Sequence, residues 1–412
     1  MRVLVVTQYY WPENFLINNL VLKLSARGVG VTVLSGKPNY PDGKIFPGYR
    51  AIGVQKEQHE SVVIRRVPIV PRGRRSKIKL ALNYISFMVS CLLLGRYLVR
   101  DREYDLVFVY APSPLLQALP AVWLARQRRV PLAVWVQDLW PESLSATGYV
   151  KNRFLLALVA RVVRFIYRYS DRILVQSRAF VQSIAKMTEE PEKIHYYPNF
   201  YQVLEGEQVS ESALELVEAL KMHFSVVFTG NLGTAQSLGT IVEAARQLLP
   251  YPNIRIVLVG SGSLDDWLSQ QRDIHKLNNL ILAGRFDASD MSAICAAAQA
   301  LIVTLKDDPA FRSTVPSKVQ AYLAAGKPIL AALDGEGARI VCEACAGLSS
   351  PAEDANGLVR NILRLNEMPI FERKKMGQNG RLYFNKHFSP DILVDELIEH
   401  FKEIIGEKEK KQ

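Results

Sequence analysis

The sequence predicts an α/β protein of two doubly wound, Rossmann-like domains, each a parallel sheet covered by helices on both faces, set opposite each other across a central cleft. Three observations predict it. At 412 residues the chain exceeds the length of about 250–300 at which a single core stops growing. Continuous apolar, β-branched runs alternate with segments of helical spacing, the pattern of strands buried on both faces and the helices that cover them. The alternation also restarts after residue 200, beyond an acidic and less regular stretch. Composition agrees, with 49% hydrophobic and 22% charged residues, the balance of a folded chain rather than a disordered one.

Residues 2–13, RVLVVTQYYWPE, read as a strand that ends in a polar turn. The following FLINNLVLKLSARGVGVTVLSG has helical spacing and then a second apolar strand, Val29 to Leu34, which completes a βαβ unit. Leu106 to Tyr110, Leu132 to Val136 and Arg172 to Val175 are further strands of the first half. In the second half the strands are Val226 to Phe228, Arg255 to Val259, Leu280 to Ala283, Ala300 to Val303 and Pro328 to Ala331. Helices run from Asp287 to Ala298 and from Ser317 to Ala325. The joint falls in YYPNFY, residues 196–201, so the expected units are 1–198 and 199–390, with an amphipathic helix in 391–412 crossing back to the first.

Cysteine and histidine spacing excludes a readable metal site. The four cysteines lie too far apart for a zinc quartet, and the six histidines show no ligand spacing, so buried, reduced thiols of a cytoplasmic protein are expected. The net charge of +11 is concentrated. Arg65 to Lys79, RRVPIVPRGRRSKIK, holds seven basic residues and no acid, and an uncharged run from Leu80 to Gly95 follows it. A helix over Leu80 to Leu94 has Asn83, Ser86 and Ser90 along one narrow stripe and apolar residues elsewhere. That is too apolar for a surface helix, and short of the ~20 residues that span a bilayer. Partial embedding is expected, with the basic cluster drawing the domain onto anionic lipid. A second amphipathic helix, Arg153 to Arg168, puts four arginines on one face. It is either interfacial or a domain helix with a solvated basic face.

Ligands in this architecture bind at the carboxyl ends of the strands, so the loops there are the candidate sites. FTGNLGTAQSLG, residues 228–239, is a strand, a glycine-rich turn and a helix start, the arrangement that converges backbone N–H groups on an anion. It presents Gly230, Asn231, Gly233 and Gln236, and Gly260 marks a second such turn. The turn has no Lys or Arg of its own. Positive charge is expected from Arg285, beside Phe286, from Arg312, and from Lys318, which with Ser317 stands at a helix start. In the first half, WVQDLWPES places Gln137, Asp138 and Glu142 after a strand, with Glu13 and Asn14 in the first loop on the same side. Asp138 reads either as an acid-base group or as a helix-capping turn residue.

VLVVTQYYWPENF, GVTVLSGKPNYPDG, VWVQDLWPES, FTGNLGTAQS, LVGSGS and YLAAGKPILAALDGEGARIV resemble, in this order, the retaining GT-B glycosyltransferases of family 4. They look most like the bacterial O-antigen and capsule branch, the WbuB-like enzymes. The resemblance implies that the second domain binds a UDP-sugar and that the first presents a polyprenyl-diphosphate-linked saccharide. It implies no cofactor and no metal, a place on the cytoplasmic face of the inner membrane, and a sugar of the N-acetyl-L-fucosamine kind. By this resemblance Asp138, Gln137 and Glu142 are the catalytic candidates, Gly230, Asn231, Gly233, Gln236, Gly260, Arg285, Phe286, Arg312, Ser317 and Lys318 bind the nucleotide-sugar, and Glu13 and Asn14 lie on the acceptor side. Four positions depart from the family pattern. Asn231 and Gln236 stand where relatives carry Arg and Lys, and Ala321 and Arg339 stand at common Glu positions.

Two other classes are weighed. A non-hydrolysing UDP-sugar epimerase of the same fold needs carboxylates and histidines in the cleft loops, and those loops are poor in histidine. A basic nucleic-acid-binding protein would interleave its cations with polar or stacking residues, whereas this basic cluster abuts an apolar run.

Overall fold

A computed structural model describes residues 1–74, 76–146, 152–203 and 209–410. Its contacts divide the chain into two units, Met1–Asn199 with Leu393–Gln412, and Phe200–Ile392.

In unit 1 the elements run β1 (Arg2–Val6), α1 (Leu16–Ala26), β2 (Gly30–Gly36), β3 (Gln55–His59), β4 (Val62–Val67), α2 (Lys77–Leu98), β5 (Leu106–Ala111), α3 (Ala118–Arg128), β6 (Leu132–Val136), α4 (Glu142–Ala146), α5 (Arg153–Arg168), β7 (Arg172–Val175), α6 (Arg178–Ala185) and β8 (Ile194–Tyr196). The eight strands are ordered β3-β4-β2-β1-β5-β6-β7-β8. All pair in parallel except β3, which returns along β4 as an antiparallel edge. The central strands β5 and β6 are buried at every position, because helices cover both faces.

The basic cluster Arg65 to Lys79 does not act as one body. Arg65 and Arg66 lie in β4 with their side chains inward. Arg66 is fully buried; it donates to the Glu57 carboxylate on β3, to Gly36 O at 2.9 Å and to Trp11 O. Arg65 reaches Asp101 at 2.7 Å. Arg74 pairs with Asp42 at 3.1 Å, and the Arg72 guanidinium lies over the Tyr40 ring at 4.9 Å. Arg75 lies outside the described residues. A buried guanidinium is kept only where carboxylate and carbonyl acceptors satisfy it, so this part of the expected lipid-facing cluster is structural instead.

Unit 2 contains α7 (Glu211–Lys221), β9 (Phe224–Thr229), α8 (Leu238–Gln247), β10 (Ile254–Val259), α9 (Asp265–Ile274), β11 (Leu280–Gly284), α10 (Met291–Ala297), β12 (Ala300–Thr304), α11 (Pro309–Arg312), α12 (Ser317–Ala325), β13 (Ile329–Ala332), α13 (Glu336–Glu343), β14 (Gly347–Ser350), α14 (Ala355–Glu367) and α15 (Ile370–His387). Its sheet is fully parallel, in the order β11-β10-β9-β12-β13-β14. The strand order reverses between β9 and β12. In such a sheet the crevice for a ligand opens there, outside the carboxyl ends.

The last helix, α16 (Pro390–Glu409), belongs to unit 1 from Leu393 onward. Phe401 packs edge-on against Phe108 with ring centroids 5.2 Å apart, and the Tyr197 hydroxyl donates to Leu393 O at 2.8 Å.

Candidate functional site

The carboxyl ends of β9, β10 and β11 line a cavity of about 500 Å³ wholly within unit 2. Five predicted residues meet there: Gly230, Asn231, Gly260, Arg285 and Phe286. Two glycines make the close packing of the first two loops possible. A Cβ on Gly260 (φ +147°) would stand 1.9 Å from Gly230 O, and one on Gly262 would stand 2.4 Å from the Leu232 carbonyl. The loops are stitched by Gly230 N to Val259 O at 2.8 Å and Leu232 N to Ser261 O at 3.0 Å. Those two N–H groups are therefore spent. Asn231 and Gly233 keep backbone N–H groups without an acceptor among the described residues, and they remain as donors for a ligand.

α12 carries Lys318, which lies beside the glycine turn at Gly230 and is not among the residues that line the cavity. The helix starts after Pro316, whose extended backbone suits the position before a helix, and it ends at Gly326 in the left-handed conformation. Lys318 and Tyr322, one turn apart, share the face that meets the end of β9. The Tyr322 hydroxyl accepts from Thr229 N at 2.9 Å and holds the strand end in place. The Lys318 ammonium donates to Gln236 Oε1 at 2.6 Å and lies over the Phe228 ring at 4.7 Å. It has no carboxylate partner among the described residues. Burial pushes its pKa down to about 8, because water that would solvate the cation is excluded.

The remaining predicted donor-side residues serve other roles. Gln236 is the acceptor for Lys318, and its main chain is held by Thr304 Oγ1, while Lys306 N donates to Ala235 O at 3.0 Å. Gly233 lies under the Asn231 side chain, where a Cβ would come within 2.7 Å of Nδ2. Ser317 is exposed in the first turn of α12 and lines no part of the cavity. Arg312 also stays outside: its guanidinium is bound to Asp307, with Nε to Oδ1 at 2.8 Å, and lies 3.8 Å from Asp334. A guanidinium that already holds an acid is less available to a diphosphate. Arg339 is likewise held by Glu336 and Glu343 on its own helix.

The structure adds one cation that the sequence did not point to, Arg381 on α15, which lines the cavity because α15 packs on α12. With Arg285 and Arg381 on its wall and no Asp, Glu or His among its described lining residues, the cavity suits an anionic ligand.

In unit 1, Asp138 is half-buried after β6 and has only neutral partners. It accepts from Ser143 Oγ at 3.1 Å and Trp140 Nε1 at 3.3 Å, and burial raises its pKa above the ordinary aspartate value. Ser143 lies in the first turn of α4, so Asp138 is tied to the start of that helix through a side-chain hydroxyl while staying partly accessible. The Gln137 carbonyl accepts from Gln176 Nε2 at 3.0 Å, and its own side-chain Nε2 is buried without a partner among the described residues. Glu142 is exposed at the start of α4. Asn14 is exposed as well. Glu13, expected on the acceptor side, is buried and takes three backbone N–H groups. These come from Asn39 and Tyr40, both at 2.7 Å, and from Tyr10 at 3.3 Å. It clips the loop after β1 to the loop after β2, and burial pushes its carboxyl up to about 7.

Residues 16–199 match the family described as glycosyl transferase 4-like domain, and residues 223–367 match glycosyl transferases group 1. The chain is 25% identical to a probable glycosyltransferase, WbjE, of Pseudomonas aeruginosa, over 82% of this chain and 84% of that protein. It is 24% identical to the putative colanic acid biosynthesis glycosyl transferase WcaI of Escherichia coli (strain K12), over 79% of this chain and 82% of that one. Among solved structures, Anabaena HepE in complex with UDP is similar with a TM-score of 0.70 at 16% identity, covering 98% of this chain and 100% of that one. Sucrose-phosphate synthase from Thermosynechococcus elongatus is similar with a TM-score of 0.72 at 16% identity, covering 98% and 99%. Two parallel-sheet units, a glycine-rich cavity at the strand ends of the second, and matches along both halves place the chain in one family: it belongs to the glycosyltransferases of the two-domain GT-B fold.

Proposed function

We propose that unit 2 binds a UDP-sugar and that the enzyme moves its sugar, with retention of configuration, to a saccharide carried on a polyprenyl diphosphate. The reading rests chiefly on Lys318, a half-buried ammonium that lacks a carboxylate partner among the described residues and lies against the glycine turn after β9. A buried cation without a counter-ion is costly unless a ligand supplies the negative charge. The Asn231 and Gly233 N–H groups are the backbone donors for the diphosphate, with Lys318 and Arg285 as its charge partners and Arg381 farther along the wall. The neighbour with bound UDP supports the choice of nucleotide.

In unit 1, Asp138 is the proposed group that orients the transferred sugar or takes the acceptor's proton. Its raised pKa and lack of a basic partner suit that task. The leaving diphosphate is the alternative proton acceptor. By likeness to the O-antigen and capsule branch, the sugar is an N-acetylated deoxyhexose such as N-acetyl-L-fucosamine, and the enzyme works without a metal at the cytoplasmic face of the inner membrane. A thermal-shift panel of nucleotides and nucleotide-sugars tests the reading, followed by a turnover assay with the sugar that stabilises most. UDP and one UDP-sugar should raise the melting temperature above all others; a panel without any shift contradicts the donor assignment.

A further inference from the structure

α2 is turned inside out for a helix in contact with water. Its polar stripe faces the protein: Asn83 is fully buried, donates to Val70 O at 2.7 Å and accepts from Gln8 Nε2 at 2.6 Å, and the Ser86 hydroxyl accepts from Val70 N at 2.9 Å. Its opposite face carries Ile78, Leu82, Ile85, Val89 and Leu93, spaced by three and four residues and all exposed, Leu93 and Ile78 by 74% each. By length and composition α2 could cross a bilayer, and at 22 residues it is longer than its sequence suggested. Its inner row of Asn83, Phe87, Cys91, Gly95 and Leu98 is built into the core of unit 1, so only the outer row is available to lipid.

α5 carries a second unpartnered apolar row. Val163, Ile166 and Tyr167 face the core. At 100° per residue the outward half divides lengthwise into Arg153, Arg161, Arg164 and Arg168 on one side and Phe154, Leu158 and Phe165 on the other. Phe154 is 89% exposed. Phe165 lines a groove with Arg161, Arg164 and Arg168 against Lys186, Glu189 and Glu190 beyond the end of α6, so Phe154 and Leu158 are the open apolar residues of this row. α3 touches both α2 and α5, and its residues Leu119 and Trp123 are only partly covered.

Charge decides what covers this face. α2, α3 and α5 together hold nine Lys and Arg and no acid. Arg96, Arg153, Arg161, Arg164 and Arg168 pair with no carboxylate among the described residues. A second copy would set cation against cation, and a nucleic acid has no use for rows of exposed aliphatic side chains. An anionic bilayer satisfies both features, since apolar rows enter the acyl boundary while arginines meet headgroup phosphates. We infer that the outer face of α2, α3 and α5 docks unit 1 on an anionic membrane surface. This deepens the lipid-linked acceptor reading and rests on it for its purpose. It assigns docking to helix faces and excludes the strand arginines Arg65 and Arg66.

The test is co-sedimentation of the full chain with vesicles of phosphatidylcholine alone or mixed with phosphatidylglycerol. One variant combines Arg161→Gln, Arg164→Gln and Arg168→Gln; a second combines Ile85→Ser, Leu93→Ser and Leu158→Ser. All six positions are exposed and none lines the cavity of unit 2, so both variants should melt as the parent does. The parent should bind only mixed vesicles. The arginine variant should partition about a hundredfold less at moderate salt, at about 1 kcal/mol for each cation near the surface. The apolar variant should lose binding and keep its UDP affinity. Failure of the parent to bind mixed vesicles overturns the inference, as does binding by both variants at the parent's level. So does a parent dimer in light scattering that the apolar variant dissociates. A protein that docks but transfers to no lipid-linked acceptor would sink the acceptor reading and leave the docking face standing.

Discussion

Lys318 occupies the space beside Gly230 that a side chain would enter: a Cβ placed on Gly230 would lie 3.3 Å from Lys318 Cε and 3.6 Å from Nζ. The absence of a side chain at Gly230 leaves room for the Lys318 chain beside the turn. Gly260 is more tightly constrained, because the obstacle to its Cβ is the Gly230 carbonyl rather than a flexible side chain. Both glycines have positive φ, at +110° and +147°. Gly230→Ala should cost about 1–2 kcal/mol and weaken UDP binding, while Gly260→Ala should cost more and lower the melting temperature further. Thermal unfolding of the two variants checks the order.

Arg285 and Arg312 should separate in a binding assay. Arg285 lines the cavity and pairs with no acid among the described residues, whereas Arg312 is held by Asp307. Arg285→Gln should weaken UDP binding by about 1 kcal/mol, roughly fivefold. Arg312→Gln should leave it within about twofold, since its charge is already neutralised. Equal losses in titration calorimetry would return Arg312 to the site.

Asp138→Asn preserves an oxygen that can accept from Ser143 and Trp140. The fold and the UDP affinity should stay at parent values while kcat falls by about 10²–10⁴-fold, the contribution of a positioned acid-base group. An Asn variant that turns over at the parent rate leaves Asp138 as a tie to the start of α4 alone.

Glu13 links stability to pH. Its carboxyl is raised from 4.5 to about 7 in the folded protein, so the folded state holds this proton more tightly than the unfolded one. The neutral carboxyl's contribution is fully present below about 4.5 and is lost as pH rises through about 7. Glu13→Gln removes the titrating group and keeps an oxygen for Asn39 and Tyr40. Across that window the parent should lose about 3–3.5 kcal/mol more than the variant, at 1.36 kcal/mol per pKa unit. Denaturant unfolding at several pH values measures it; parallel curves would contradict it.

The parts of this molecule that are local in sequence were legible there. Strands buried on both faces read as unbroken apolar runs, so β1, β5, β6, β9 and β12 stood out, and α12 was bounded by Pro316 and Gly326. The edge strands β3 (QKEQH) and β14 (GLSS) escaped notice because an edge needs no apolar pattern. At the site, Gly230, Asn231 and Gly260 could be read from the turn they form. What α12 brings to that turn could be read only in part: Lys318 by its place at a helix start, Arg381 not at all, since it arrives through packing of a distant helix. The same limit hid the fates of Arg66, Glu13 and Arg312. Each is decided by a partner on another loop or strand, and residue type alone does not distinguish a buried, satisfied charge from one awaiting a ligand.

The most direct measurement of the central claim is calorimetric titration of UDP into the parent and Lys318→Gln across pH. A bound diphosphate favours the charged lysine, so the complex holds the proton more tightly than the free protein, whose Lys318 titrates at about 8. The parent should bind steadily near neutrality and progressively more weakly as pH rises through about 8. Lys318→Gln should bind about ten- to a hundredfold more weakly at neutral pH, the loss of a charge-assisted contact worth roughly 1.5–3 kcal/mol, and should lack that decline. A Lys318→Gln protein that binds UDP with the parent's affinity and the parent's pH profile would contradict the account.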